Sequence, residues 1–261
     1  MRALFTAASG MEAQQLRIDT IANNLANVNT TGFKRSRVEF QDLFYDTLKA
    51  PGATASAGNT LPTGAQVGHG VRMGAISRVH TEGERISTKR DLDFAIDGDG
   101  FFQVTRPDGE IVYTRAGSFH LDRDGNLVNS LGYLMEPNIQ IPSDALQVTV
   151  LADGTVSVLQ PGSTAAQNVG QIEIARFANP AGLRALGNGL FSRSEASGDE
   201  ETGTPDQNGF GAIAQGFLEA SNVNMAEELV RMIVAQRAFE VSSRVIQAGD
   251  DMLRTVGSLN Q

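Results

Sequence analysis

The side chains best suited to acid–base or metal chemistry in this chain are three histidines, His69, His80 and His120, and 30 carboxylates. A metal site needs several such ligands at helix or hairpin spacing, and no histidine has a second histidine three or four residues away. Cysteine is absent, which removes disulfides, thiolate sites and cysteine nucleophiles together. Asp97-Gly98-Asp99-Gly100 and Asp122-Arg123-Asp124-Gly125-Asn126 alternate oxygens in the manner of a calcium loop. An EF-hand also needs a glutamate at the twelfth position and a helix on each side. Neither run has them, and hairpin turns explain both. No phosphate-binding GxxxxGK[ST] or GxGxxG opens a helix, no GxSxG elbow occurs, and nothing selects two carboxylates for proton transfer. The expectation is a protein with no catalytic, cofactor or metal site.

The elements are more informative than the reactive groups. At the start, Leu4, Met11, Ile18 and Leu25 are spaced by seven, with Ala7, Gln14, Ile21 and Val28 three residues behind. At the far end, Met225, Met232, Phe239, Ile246 and Leu253 repeat that spacing. A 3.5-residue period keeps one helix seam facing a partner helix. The first helix is expected over residues 3–28, stopped by Asn27, Asn29, Thr30, Thr31 and a left-handed Gly32. The last begins at Asn224, with Glu227 placed for a capping box, and runs to about Val256. It carries a second stripe, Val230, Val234, Val241 and Val245, opposite the seam. A helix apolar on two faces belongs among several neighbours.

Two arrangements fit. The terminal helices can pair as an antiparallel hairpin within one chain, or be covered by other copies. Burying one Val or Leu is worth roughly 1.5–3 kcal/mol, so a lone hairpin leaves several kcal/mol of valine stripe in water unless the middle of the chain covers it. The pattern favours assembly, with these fifteen residues as its seam: Leu4, Met11, Ile18, Ile21, Leu25, Val28, Met225, Met232, Phe239, Ile246, Leu253 and the four valines.

Between the ends, Phe33–Lys49 has a mixed pattern that reads as partly helical, and Lys34, Arg35 and Arg37 read as a solvated patch or one facing an acidic neighbour. Residues 50–66, APGATASAGNTLPTGAQ, form a flexible linker or an arm laid on a neighbour. From Val67 to Asn208 the period becomes two. Asp108-Gly109, Asp124-Gly125 and Asp153-Gly154 each separate two β-rich runs, and Asp-Gly suits hairpins because both residues tolerate positive φ. The fold class is α+β: a helical core domain from 1–32 and 222–261, a linker 33–66 containing the arm 46–66, and an antiparallel all-β domain over 67–221. With no tryptophan, the core is expected to be mostly aliphatic.

A net charge of −9 disfavours nucleic acid and anionic membrane as partners. No run approaches the ~18 apolar residues of a membrane span. Residues 1–30 contain Glu12, Arg17 and Asp19 and lack a signal-peptide core. Any passage out of the cytoplasm is expected to use a route without a cleaved signal.

The strings ASGMEAQQLRIDTIANNLANVNTTGFK (8–34) and GFLEASNVNMAEELVRMIVAQRAFEVSSRVIQAGDDML (216–253) resemble the N- and C-terminal motifs of bacterial flagellar rod and hook proteins. DFAIDGDGFFQV and YTRAGSFHLDRDGNLV in the middle are also similar, so the resemblance covers nearly the whole chain. Length and the 46–66 stretch look most like the distal rod branch, with proximal rod and hook-type members as the alternative. The resemblance implies a structural protein without a chemical step. Copies would stack helically into a hollow drive shaft, with helices inside and β domains outside. Implied partners are further copies, proximal rod proteins, the hook protein, periplasmic and outer-membrane ring proteins and the flagellar export apparatus. The implied location is the basal body, spanning the periplasm to the outer membrane. A secreted β-rich binding module is the alternative from another class; it explains the middle of the chain but not the heptads.

Overall fold

The structure is a computed structural model and describes residues 2–50, 63–162 and 165–259. It is α+β, with a helix near each end and antiparallel sheets between. The chain divides into two compact units, one from 1–26, 36–77 and 224–261, the other from 27–35 and 78–223. Among the described residues, no helix is long and apolar enough to cross a membrane.

The first unit contains helix α1, Arg2–Ala26, and helix α2, Met225–Leu259. Helix α2 starts where a cap was expected. Asn224 Oδ1 accepts from the backbone N–H of Ala226 at 3.0 Å and of Glu227 at 3.3 Å, pairing two donors that the first turn leaves open. Asn224→Ala is expected to lower stability by about 1 kcal/mol, read as a shift in the helical circular-dichroism melt.

Helix α1 stops at Ala26, two residues early, because Thr30 N–H turns back onto Asn27 O at 3.1 Å. Val28 is therefore not on a helix. Gly32 is left-handed, with φ +68, and a Cβ there would lie 2.6 Å from the backbone nitrogen of Ala116. Glycine is needed both for the dihedral and for the close approach.

The segment read as partly helical is extended. Ser36–Asp42 and Tyr45–Lys49 are strands. In SRVEFQD the side chains of Val38 and Phe40 share one half-buried face while Arg37, Glu39 and Gln41 face water, a period of two that the neighbouring basic cluster obscured. Ser36–Asp42 pairs with Val71–Arg78. Tyr45–Lys49 pairs antiparallel with Ala65–Gly68, Tyr45 opposite Gly68 and Lys49 opposite Ala65. The two ends of the expected arm are thus tied side by side, while its central residues 51–62 lie outside the described residues.

The second unit is built from antiparallel strands. Its nine-stranded sheet runs Arg184–Gly187, Leu190–Ser192, Ile111–Thr114, Phe101–Thr105, Leu134–Glu136, Leu127–Asn129 and Phe119–Leu121, with Ile174–Phe177 and Glu200–Gly203 off this path. A three-stranded sheet joins Gln147–Val150, Thr155–Leu159 and Gln167–Gln171. The larger core is mostly aliphatic around Phe94, Phe102 and Phe119. The smaller one is aromatic instead, with Phe101, Tyr113, Phe177 and Phe191 meeting edge to face.

All three Asp-Gly hairpins form, but not in the geometry expected of that dipeptide. Only the glycine of each takes positive φ: Gly109 at 84, Gly125 at 84 and Gly154 at 81. In the first, Gly109 N–H bonds Arg106 O and Arg106 N–H bonds Glu110 O, both at 2.9 Å, a type I turn closed by a left-handed glycine. The longer loop spares the aspartate a strained dihedral. Asn129-Ser130-Leu131-Gly132-Tyr133 makes the same turn without the Asp-Gly signal. The calcium-like run at Asp122 is one of these loops: Asp122 Oδ1 accepts from the N–H groups of Asp124 and Asn126, each at 2.8 Å.

Candidate assembly surface

In the first unit α1 and α2 pack against each other and run antiparallel, Leu4 beside Gly249, Gly10 beside Ser242 and Asn24 beside Glu228. The helices come close because small residues line the contact. Ala13 and Ala235 are buried, and a Cβ on Gly249 would fall 2.4 Å from the Leu4 side chain. Near the other end sits a polar clasp. Buried Asn24 donates from Nδ2 to Ser36 O at 2.9 Å and Glu228 Oε2 at 3.2 Å, and accepts the Ser36 N–H at 2.9 Å. Asn24 thereby joins α1, the following strand and α2. Sequence reasoning passed over it; the signal was an asparagine inside the apolar face, next to Leu25 and three residues after Ile21.

The within-chain pairing weighed above therefore occurs, and it settles where each seam residue lies. Ile21 is buried; Leu4, Met11, Ile18, Leu25, Met232, Phe239 and Ile246 are half-buried. Val28 is half-buried in the second unit, while Met225 and Leu253 are exposed. The valine stripe stays in solvent: Val230 is 61% exposed, Val234 53%, Val241 60% and Val245 46%. Leu229 and Ile233 are exposed too and widen the stripe into a band. Near the chain ends, Leu4, Phe5, Ala8, Ile246 and Leu253 line an apolar cleft of about 560 Å³. Isolated exposed hydrophobics are ordinary, whereas several on one helix face form a candidate interaction surface.

The second unit corrects the reading of Lys34. It is not solvated: Lys34 and Glu219 are 1% and 2% exposed and form an ion pair. Lys34 also donates to Thr81 O at 2.8 Å, and Glu219 accepts the Gly83 N–H at 2.9 Å. Burial pushes the Lys34 amine down, and Glu219 pulls it back up. The pair is 185 residues apart in sequence, which is why a local reading missed it.

His80 lies edge-on to Phe101 and Phe191, at ring-centre distances of 5.7 and 5.6 Å. Burial, followed by the charges of Lys34, Arg115 and Arg78, pushes its pKa down from 6.5 to about 4. The folded state thus favours neutral imidazole while the unfolded chain takes up the proton near 6.5. This contribution is whole above the unfolded value and is lost as pH falls from 6.5 towards 4. Between about pH 7 and about pH 5 the wild type should lose about 2 kcal/mol more stability than His80→Phe, measured by urea denaturation.

Comparison with known proteins gives three family matches. Residues 4–34 match the flagella basal body rod protein family, 95–158 the flagellar hook protein FlgE/F/G D1 domain, and 214–259 the flagellar basal body rod FlgEFG protein C-terminal family. Flagellar basal-body rod protein FlgG of Borreliella burgdorferi is 50% identical over 263 residues, covering 100% of this chain and 99% of that one. The protein of the same name from Caulobacter vibrioides is 46% identical, covering 99% of each chain. The Bacillus subtilis one is 42% identical, covering 100% of both. The chain belongs to the FlgG family of flagellar basal-body rod proteins. In this rod family member the two terminal matches fall on α1 and α2, and the second of these helices carries the exposed band. It is a structural protein of the flagellum.

Proposed function

We propose that copies of this chain stack helically into the hollow distal rod, a drive shaft that carries motor torque to the hook. The observation behind this reading is the valine band on α2. The helix already packs on α1 by one face, so the exposed face calls for a further partner, and other copies of the same chain supply one. In the tube the helices form a coiled-coil-like core layer from 1–32 and 222–261, with the β region over 67–221 outside it. Torque needs a stiff tube, and stiffness comes from dense interlocking between subunits. Proximal rod proteins, the hook protein and the ring proteins that surround the shaft are the neighbours. The chain reaches the basal body through the flagellar export apparatus without a cleaved signal, and the shaft spans the periplasm to the outer membrane.

Purified full-length chain should form tubes or large oligomers in electron micrographs; a chain that stays monomeric at all concentrations would overturn the reading. The 46–66 arm gives a second test. Laid on a neighbouring copy, it would tie successive subunits together and suppress bending. Deleting residues 51–62, which spares the paired strands at its base, should turn straight rods into flexible, hook-like polymers. Straight rods from the deletion strain would count against that role.

A further inference from the structure

In the first unit, α1 and the strand Val71–Arg78 lie side by side, joined where Ser9 Oγ accepts the Val71 N–H at 3.4 Å. Between them runs a groove of about 530 Å³. Ala13, Leu16, Val71 and Met73 make its lining apolar. Glu12 and Asp19 line it as well; both are solvent-exposed, and neither has an ion-pair partner among the described residues. Asp19 accepts a hydrogen bond from Gln15 Nε2 at 3.1 Å. Seven residues apart, the two carboxylates stand on one face of α1, separated by about 10.5 Å along its axis.

Helix α2 carries the matching surface. At 3.6 residues per turn, Arg237 and Arg244 fall in the same stripe as Val230, Val234, Val241 and Val245. Both arginines are solvent-exposed, and neither has an ion-pair partner among the described residues. They too are seven residues apart, again about 10.5 Å along the axis. Within one chain they do not reach Glu12 and Asp19, because α2 turns Ala235 and Gly249 inward and the valine stripe outward. Covering either surface with a purely apolar partner would strip water from two charges without compensation. A ridge of valines with two cations suits an apolar groove with two anions at the same spacing. The charges that run against this pattern, Arg72 in the groove and Glu240 between the arginines, are themselves opposite in sign, and Arg72 already donates to Gln41 Oε1 at 3.1 Å.

We propose that the groove between α1 and Val71–Arg78 receives the outer face of α2 from a second copy, with the valines on the apolar lining and Arg237 and Arg244 against Glu12 and Asp19. This rests on the stacking of copies proposed above and names the two surfaces that each copy offers. Every copy presents one groove and one ridge, so the contact is head-to-tail, the kind that extends into an open helical polymer when its rotation does not close a ring.

Three full-length variants test the pairing under conditions in which the wild type forms tubes, with sedimentation and electron microscopy as the readout. Arg237→Glu/Arg244→Glu and Glu12→Arg/Asp19→Arg should each keep the wild-type circular-dichroism melt, since all four positions are exposed, and each should lose its polymer. The variant with all four changes keeps the wild-type net charge, restores opposite charges across the contact and should polymerise again. Full polymer from either double variant, or monomer from the fourfold one, overturns the pairing. Both of those results leave the stacking itself standing, because it fails only where the wild type stays monomeric.

Discussion

Val234→Asp and Val241→Asp should leave the isolated chain folded, with an unchanged melting temperature, and should abolish rod formation. The two valines are 53% and 60% exposed, so an added carboxylate remains solvated in the monomer. Substitutions at such positions usually change stability by no more than about 0.5 kcal/mol. In the assembled tube the same carboxylate would be shut among apolar helices without a partner, at a cost of several kcal/mol in every subunit contact. Circular dichroism checks the fold, and sedimentation with electron microscopy checks assembly. Normal rods from either variant would sink the valine band as an interface. Phe239→Asp and Ile246→Asp should also block polymerisation while the β region stays folded. They test the interface less cleanly, because both side chains are half-buried in the single chain and their replacement also loosens the α1–α2 pair.

Lys34→Met should destabilise the protein by about 3–5 kcal/mol in chemical denaturation, the usual result of stripping one partner from a buried ion pair. The loss has two parts. Thr81 O loses the Lys34 donor, and Glu219 is left buried with the Gly83 N–H and a 3.4 Å contact to Arg115 as its compensation. The double variant Lys34→Met/Glu219→Met should lose less than the two single variants combined, since each single change leaves the other charge stranded. A Lys34→Met protein within about 1 kcal/mol of wild type would mean that Arg115 alone neutralises Glu219. A solvated lysine, as the local sequence suggested, would have given a near-neutral substitution, so this measurement separates the two readings by a wide margin.

What was legible in the sequence was local. Heptad spacing in Leu4–Leu25 and Met225–Leu253, the Asn224 cap and the left-handed Gly32 each depend on a few consecutive residues, and all have structural counterparts in α1, α2 and the turn between 27 and 32. The Asp-Gly pairs located three hairpins for the same reason, although the turn geometry that formed needs positive φ at the glycine alone. Segments with two competing periods were less legible. In Phe33–Lys49 the basic cluster is split by the fold: Arg37 falls on the solvent face of a strand, while Lys34 and Arg35 precede it and Lys34 is buried, so over so short a run the three mimic one stripe.

The sequence by itself determined the class of the molecule: two amphipathic helices, a β-rich middle, and apolar surface beyond what one partner helix can cover. Only the tertiary structure decided which apolar residues meet each other and which stay in water. Periodicity defines the faces of a helix but does not say which face its own chain takes first. The close approach at Gly249 and the Asn24 clasp turn the seam towards α1 and leave Val230, Val234, Val241 and Val245 outward. The same holds for Lys34, whose charge is tolerable in the interior because Glu219, far along the chain, is folded onto it. A charge is buried or solvated according to the partner that reaches it, and that partner is chosen by the fold rather than by the neighbouring residues.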